Sequence, residues 1–188
     1  MKTVLLASKS PRRRELLTML GYDVEVAVSL VDESGITASS PALLTERLAT
    51  LKAEEVYHRL SPSDRPVIAA DTVVELNGRV LGKPKDEDEA RTMLRALSGS
   101  IHLVHTGLAV IRNGILRSCV ETATVRFRSL TEEEIEAYVR SGQPMDKAGA
   151  YGIQGPAGAF VAGIEGDFFT IVGLPLCRLT LLLRELGT

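Results

Sequence analysis

VIAADTVVELNGRVL, residues 67–81, is the stretch that decides the fold. Val67 to Leu76 is rich in β-branched and small apolar residues, the pattern of a strand buried on both faces. Asn77-Gly78 follows, the strongest short signal for a two-residue hairpin, and Arg79-Val80-Leu81 returns along the strand. One residue breaks the apolar run. Asp71 sits among Ile68, Ala69, Ala70, Val73 and Val74. Burying a carboxylate is costly unless it is paired or bound to a metal. An aspartate capping a loop at a strand end is the bland alternative. Apolar residues continuing on both sides favour a functional carboxylate.

Outward from this strand, helical and extended patterns alternate. Upstream, residues 3–7 read as a buried strand and 11–20 as a helix, with Ser10 at the N-cap, Pro11 in the first turn and Gly21 at the end. Residues 24–28 form a second short strand, 29–40 a polar stretch, and 41–60 a long helix. Downstream, a helix is expected over 86–97, and strands over 101–112 and 115–127 around a second hairpin pair, Asn113-Gly114. Thr131 and Glu134 have capping-box spacing and open a helix that ends at Gly142. Residues 143–158 read as a glycine-rich, flexible-backbone loop, 159–164 and 168–172 as strands, and Pro175 opens a last helix to about Leu186. Alternation with interspersed hairpins predicts an α/β fold whose mixed, twisted sheet is flanked by helices. At 188 residues, with no composition shift marking a linker, this is one domain, or one domain with a small lobe.

Composition narrows the function. The hydrophobic share of 45% is ordinary for a packed core, and a net charge of −2 argues against non-specific nucleic-acid binding. Cys119 and Cys177 have no metal-ligand spacing and read as reduced thiols. The apolar run Val4–Ala7 is too short for a signal peptide, and no stretch is long enough to span a bilayer. A soluble, intracellular protein is expected.

Several positions look wrong for a pure scaffold. Ser8-Lys9-Ser10-Pro11-Arg12-Arg13-Arg14 gathers two hydroxyls and four cations where a strand gives way to a helix N-terminus. Free N–H groups there favour an anion. Arginines oppose the helix dipole unless a polyanion lies between, and a solvated basic turn is the competing reading. No P-loop pattern occurs in the chain. On a helical wheel with Leu48 at zero, Lys52 falls at about 40°, inside the apolar arc. Its ammonium either snorkels to water or points at a buried anion. Lys83, in Gly82-Lys83-Pro84, stands at the mouth of a strand pair and means little alone.

The loop Asp146–Gly155 offers glycines for close backbone approach, with Tyr151 and Gln154 able to read a base edge; a surface loop is the alternative. Asp32-Glu33, usually just solvated, gains meaning with Asp71: such carboxylates hold Mg²⁺ or Mn²⁺ together with phosphate and water. His102 and His105 fall on opposite faces of a strand and are assigned to structure. Ser8 and Ser10 lack a recognisable triad. One hypothesis unites these residues. Arg12, Arg13, Lys52 and Lys83 hold a polyphosphate, a carboxylate pair holds a divalent metal, and a Gly-Tyr-Gln loop reads a base.

LASKSPRRRELL, AADTVV, LGKPKDEDEARTMLRALSG, HTGLAV, DKAGAYGIQG and VGLPL together resemble the Maf family of nucleoside triphosphate pyrophosphatases, in the family's order and over nearly the whole chain. The resemblance implies a fold similar to inosine triphosphatase, two lobes around a cleft. It also implies metal-dependent hydrolysis of a nucleoside triphosphate to the monophosphate and pyrophosphate, a cytoplasmic location and a homodimer. Arg12, Thr72 and Gln154 occupy the positions that separate its subgroups and match the one acting on dTTP and UTP, with modified pyrimidine nucleotides as further substrates. The resemblance places the proton acceptor on Asp71. The mechanism expected on this basis has Asp71 with Glu33 holding the metal, Ser8 and Ser10 cradling phosphate, and Thr72 and Gln154 facing the pyrimidine. A nucleotide-binding regulatory protein linked to cell division, and the same chemistry on other non-standard triphosphates, are the competing readings.

Overall fold

A computed structural model describes residues 2–62 and 64–188. The strands are β1 (Thr3–Leu6), β2 (Asp23–Val26), β3 (Val67–Leu76), β4 (Arg79–Leu81), β5 (Ile101–Arg112), β6 (Ile115–Phe127) and β7 (Val161–Glu165). The helices are α1 (Pro11–Met19), α2 (Pro41–Leu60), α3 (Glu87–Leu97), α4 (Glu132–Arg140), α5 (Phe168–Val172) and α6 (Leu176–Glu185). The strands hydrogen-bond in the order β2-β1-β3-β5-β6-β7, with β4 added to β3. β1 pairs in parallel with β2 and β3, whereas β3–β4 and β6–β7 are antiparallel. This is the mixed α/β sheet with helices that the alternation predicts.

Local chemistry explains the boundaries. Both hairpin turns carry positive φ at both central residues, 51° and 78° at Asn77-Gly78 and 50° and 75° at Asn113-Gly114, as the tight two-residue turn requires. Ser40 caps α2 by accepting from the Leu43 N–H, and Pro41 fills the first helical position. Thr131 and Glu134 form the expected capping box.

Two expectations fail here. Residues 168–172 form a short helix, not a strand. Gly166, at φ 103°, ends β7, and the Asp167 carboxylate then accepts from the Phe169 and Thr170 N–H groups and the Thr170 hydroxyl. That aspartate satisfies donors a helix start leaves open. Residues 143–158 are not a loose loop either. They fold into short 3-10 turns, two of them at Gln143–Asp146 and Ala148–Ala150, and another at Pro156–Phe160 finishes the segment.

The chain divides into two compact units: Met1–Asp71 with Thr106–Glu121 and Gly173–Thr188, and Thr72–His105 with Thr122–Val172. The long strands β3, β5 and β6 each contribute residues to both. In the first unit Leu5, Ala49, Ala53, Val56, Val67, Ala69, Ala109 and Ile111 form an apolar core. β1 there is a continuous buried run, with Val4, Leu5 and Leu6 all 0% exposed. The second unit packs Val74, Leu94, Leu97 and Ile135 with Phe127, Tyr138, Tyr151 and Phe160. Its aromatic rings meet edge to face, at 4.8 Å for Phe127–Tyr151 and 5.4 Å for Tyr138–Phe160.

Candidate active site

In the first unit, β3 delivers Asp71 and the mid-section of α2 delivers Lys52. The Lys52 ammonium donates to Asp71 Oδ1 at 2.7 Å and lies 2.9 Å from Glu33 Oε1. The Lys52 and Asp71 side chains are only 13% and 14% exposed. Of the two readings of Lys52, the structure favours the second: the ammonium meets the largely buried Asp71 carboxylate and the half-exposed Glu33. Asp71 Oδ2 has no hydrogen bond among the described residues, so one oxygen of this carboxylate is tied to a cation and the other remains an open acceptor.

The turn after β1 is built around Ser8. Its hydroxyl oxygen accepts from the Ser10 N–H at 3.2 Å and from Arg13 Nη1 at 3.1 Å. With both lone pairs engaged, the hydroxyl proton is left to donate outward. Arg13 also donates through Nη1 to the Ala70 carbonyl at 2.7 Å and through Nε to the Gly173 carbonyl at 2.8 Å. It thus ties the α1 N-terminus to the residue preceding Asp71. Burial lowers the Arg13 pKa from its ordinary value, Asp71 opposes the shift, Arg12 reinforces it and Glu33 opposes it. Ser10 occupies the N-cap of α1, but its side chain makes no capping bond; its N–H serves Ser8 instead. Arg12 is half-buried at the start of the same helix.

Asp32 and Glu33 part company. Asp32 Oδ1 accepts from the Ser34 N–H at 2.9 Å and shapes the turn, while Glu33 alone reaches Lys52. Among the described residues no group of three or more His, Cys, Asp or Glu side chains converges as a metal site. Two carboxylates do converge on one cationic point, and hard divalent ions are commonly held by one or two carboxylates completed by phosphate and water. Glu33 and Asp71 fit that requirement.

The second unit carries Thr72, Lys83 and Gln154. The Gly149 N–H donates to the Gly82 carbonyl at 3.0 Å, joining the loop of Gln154 to the segment of Lys83. Gly149 adopts φ 66°, and a Cβ there would lie 2.8 Å from Val74 Cγ2, so only glycine fits. Lys83 and Gln154 are exposed and Thr72 is half-buried. Tyr151 is not available to a base. It is 5% exposed within the aromatic core, its hydroxyl 2.8 Å from His102 Nε2. The pattern Gly-Ala-Tyr-Gly carries no signal separating a stacking tyrosine from a core one.

His102 is buried too, and its Nδ1 has no partner among the described residues. Burial pushes its pKa down to about 4 from 6.5. The folded chain therefore keeps His102 neutral where the unfolded chain protonates it, and stability is lost as pH falls from about 6.5 to about 4. The expected loss is about 3 kcal/mol. Urea midpoints measured across that window should fall more steeply for the native chain than for His102→Phe; parallel curves would exclude the effect.

Among the described residues, no helix is long and apolar enough to cross a membrane. A family model described as Maf-like protein matches residues 3–186. The chain is 51% identical to a dTTP/UTP pyrophosphatase of Alkaliphilus oremlandii, with 98% of this chain and 96% of the relative covered. It is 49% identical to one of Symbiobacterium thermophilum, covering 100% and 95%, and 50% identical to one of Thermococcus gammatolerans, covering 98% and 96%. Among solved structures, the Staphylococcus aureus Ham1 protein aligns with a TM-score of 0.47 at 19% identity, over 67% of this chain and 72% of that one.

Proposed function

The chain belongs to the Maf family, and from that premise we propose that residues 1–188 act as one domain that hydrolyses dTTP and UTP to the nucleoside monophosphate and pyrophosphate. The observation that carries the reading is the Asp71 carboxylate, with one oxygen held by Lys52 and the other open. A carboxylate oriented by a cation through one oxygen, with its second oxygen open, is suited to accept a proton, which a hydrolase needs.

In this reading Asp71 Oδ2 takes the proton of the water that attacks the α-phosphorus. The tie from Oδ1 to Lys52 keeps the carboxylate oriented during the transfer. Ser8 donates its free proton to a phosphate oxygen, and Ser10 lines the same turn. Arg12, Lys52 and Lys83 meet the charge that grows on the departing pyrophosphate. Arg13 adds charge there and holds Ser8 in register. Glu33 and Asp71 would hold a Mg²⁺ or Mn²⁺ ion, which when bound neutralises phosphate charge and makes a coordinated water more acidic. Thr72 and Gln154 face the pyrimidine. Uracil and thymine share two carbonyls around an N–H, an edge that an amide able to donate and accept can match. The enzyme works in the cytoplasm as a homodimer, for which light scattering on the purified chain is the direct check.

The test is pyrophosphate release from a panel of nucleoside triphosphates with Mg²⁺ or Mn²⁺. Turnover of dTTP and UTP ahead of the purine nucleotides is expected. Tight binding of a triphosphate with no turnover of any would overturn the reading in favour of a regulatory binder.

A further inference from the structure

We propose that His102 is a positioning residue for base selection: its hydrogen bond to the buried Tyr151 hydroxyl holds the path of residues 148–155, and with it Gln154. The proposal rests on Gln154 reading the base, as in the preceding section.

The loop is pinned from within the second unit. The Gly149 N–H bonds the Gly82 carbonyl at 3.0 Å. The Gly152 N–H donates to the Tyr138 hydroxyl at 3.3 Å. Residues 152–155 close a turn, with the Gly155 N–H donating to the Gly152 carbonyl at 3.1 Å, and what anchors that turn is Tyr151, the only buried residue within 151–154. Its ring is clasped edge to face by Phe127 and His102, with centroids 4.8 and 5.4 Å away. Among the described residues His102 Nε2 is the one hydrogen-bond partner of its hydroxyl, at 2.8 Å. Just before it, Gly149 and Ala150 are both left-handed, at φ 66° and 59°. A non-glycine residue keeps that conformation only where its surroundings over-determine it.

The imidazole itself is the telling group. It is 2% exposed in an apolar, aromatic setting and leaves Nδ1 without a partner. A phenylalanine would fill similar volume and orphan no ring atom. What the imidazole adds, and an apolar ring cannot, is the bond to Tyr151. Three residues later comes Gln154. An amide carried at a fixed place can meet the edge of two carbonyls around an N–H that thymine and uracil share. When its backbone wanders, that contact is made less often and the preference for those bases falls. The reacting groups Asp71 and Lys52 belong to the other unit, so the chemical step should survive when the loop loosens.

The experiment compares kcat/KM for dTTP and dCTP in the native chain, His102→Phe, His102→Gln, Tyr151→Phe and the double variant His102→Phe/Tyr151→Phe. The dTTP preference should fall about tenfold in either phenylalanine variant, with kcat for dTTP within about threefold of native. The double variant should be no worse than the singles, because both remove the same bond. His102→Gln, whose amide nitrogen reaches the place of Nε2, should keep the preference. Tyr151→Phe removes one oxygen and keeps the ring, so it carries the test if His102→Phe fails to fold. An unchanged preference in folded Tyr151→Phe overturns the proposal, as does an equal loss on both nucleotides. If the native chain turns over no triphosphate, the enzymatic reading fails on its own. Hydrogen exchange at Gly152 and Gln154 then decides the remainder: faster exchange in Tyr151→Phe supports the positioning role, and equal exchange overturns it.

Discussion

Asp71→Asn should cut turnover of dTTP by about 10²–10⁴-fold, the range for removal of a general base, while KM stays within about threefold. The substitution is nearly isosteric. An asparagine oxygen can still accept from Lys52, so the 2.7 Å contact survives in shape. What disappears is the basic oxygen opposite it. Lys52 is not abandoned, because Glu33 remains 2.9 Å away, so the full penalty of an unpaired buried ammonium does not fall due. Removing a negative charge beside a triphosphate weakens repulsion, while the asparagine oxygen and Glu33 remain to help hold the metal, which is why affinity is expected to hold. Steady-state kinetics together with direct nucleotide binding separate the two effects. Turnover near the native rate would remove Asp71 as the base. Loss of binding in step with turnover would instead make it a substrate-anchoring group.

How much of this was legible beforehand depends on whether the decisive interaction was local. α2 runs over Pro41–Leu60, the range its residue pattern predicts, because its start is set by Ser40 and Pro41 and its face by a periodic stripe. The two Asn-Gly hairpins were equally legible, since the turn residues alone carry the geometry. Phe168–Val172 reads as a strand because a five-residue run of aromatic and β-branched residues fits a strand or a helical turn equally well. The arbiter was Asp167, whose carboxylate collects three donors within three residues. Lys52 shows the other limit. The wheel placed it inside the apolar arc, but its partners come from 19 residues each way, at Glu33 and Asp71, and no periodicity in α2 reports them. Tyr151 and His102 likewise lie 49 residues apart, so a glycine-rich context suggested an exposed reader where the fold uses a buried anchor. The charge of Arg13 and its place at a helix N-terminus point to a phosphate ligand. That it also braces Ser8, Ala70 and Gly173 follows from three contacts that only the folded chain brings together.

Gly107→Ala should cost about 3 kcal/mol or more, at or beyond the upper end of overpacking penalties, and lower Tm by about 6–12 °C for a chain of this size. Gly107 lies in β5 under the second turn of α2, within the first unit. A methyl group there would overlap the carbonyl carbon and oxygen of Thr45 and the backbone nitrogen of Glu46. Those are helix backbone atoms with no rotamer to escape into, so α2 itself must move. Its φ is not in the left-handed region, so close approach alone demands glycine. The same helix carries Lys52, whose ammonium makes contacts of 2.7 and 2.9 Å. A shift of about 1 Å breaks hydrogen bonds of that length, so turnover should fall along with stability. A thermal melt and a dTTP assay on one preparation test both. An unchanged Tm would mean that the strand yields rather than the helix. A lowered Tm with native turnover would show that Lys52 does not depend on where α2 sits, and would count against its orienting role toward Asp71.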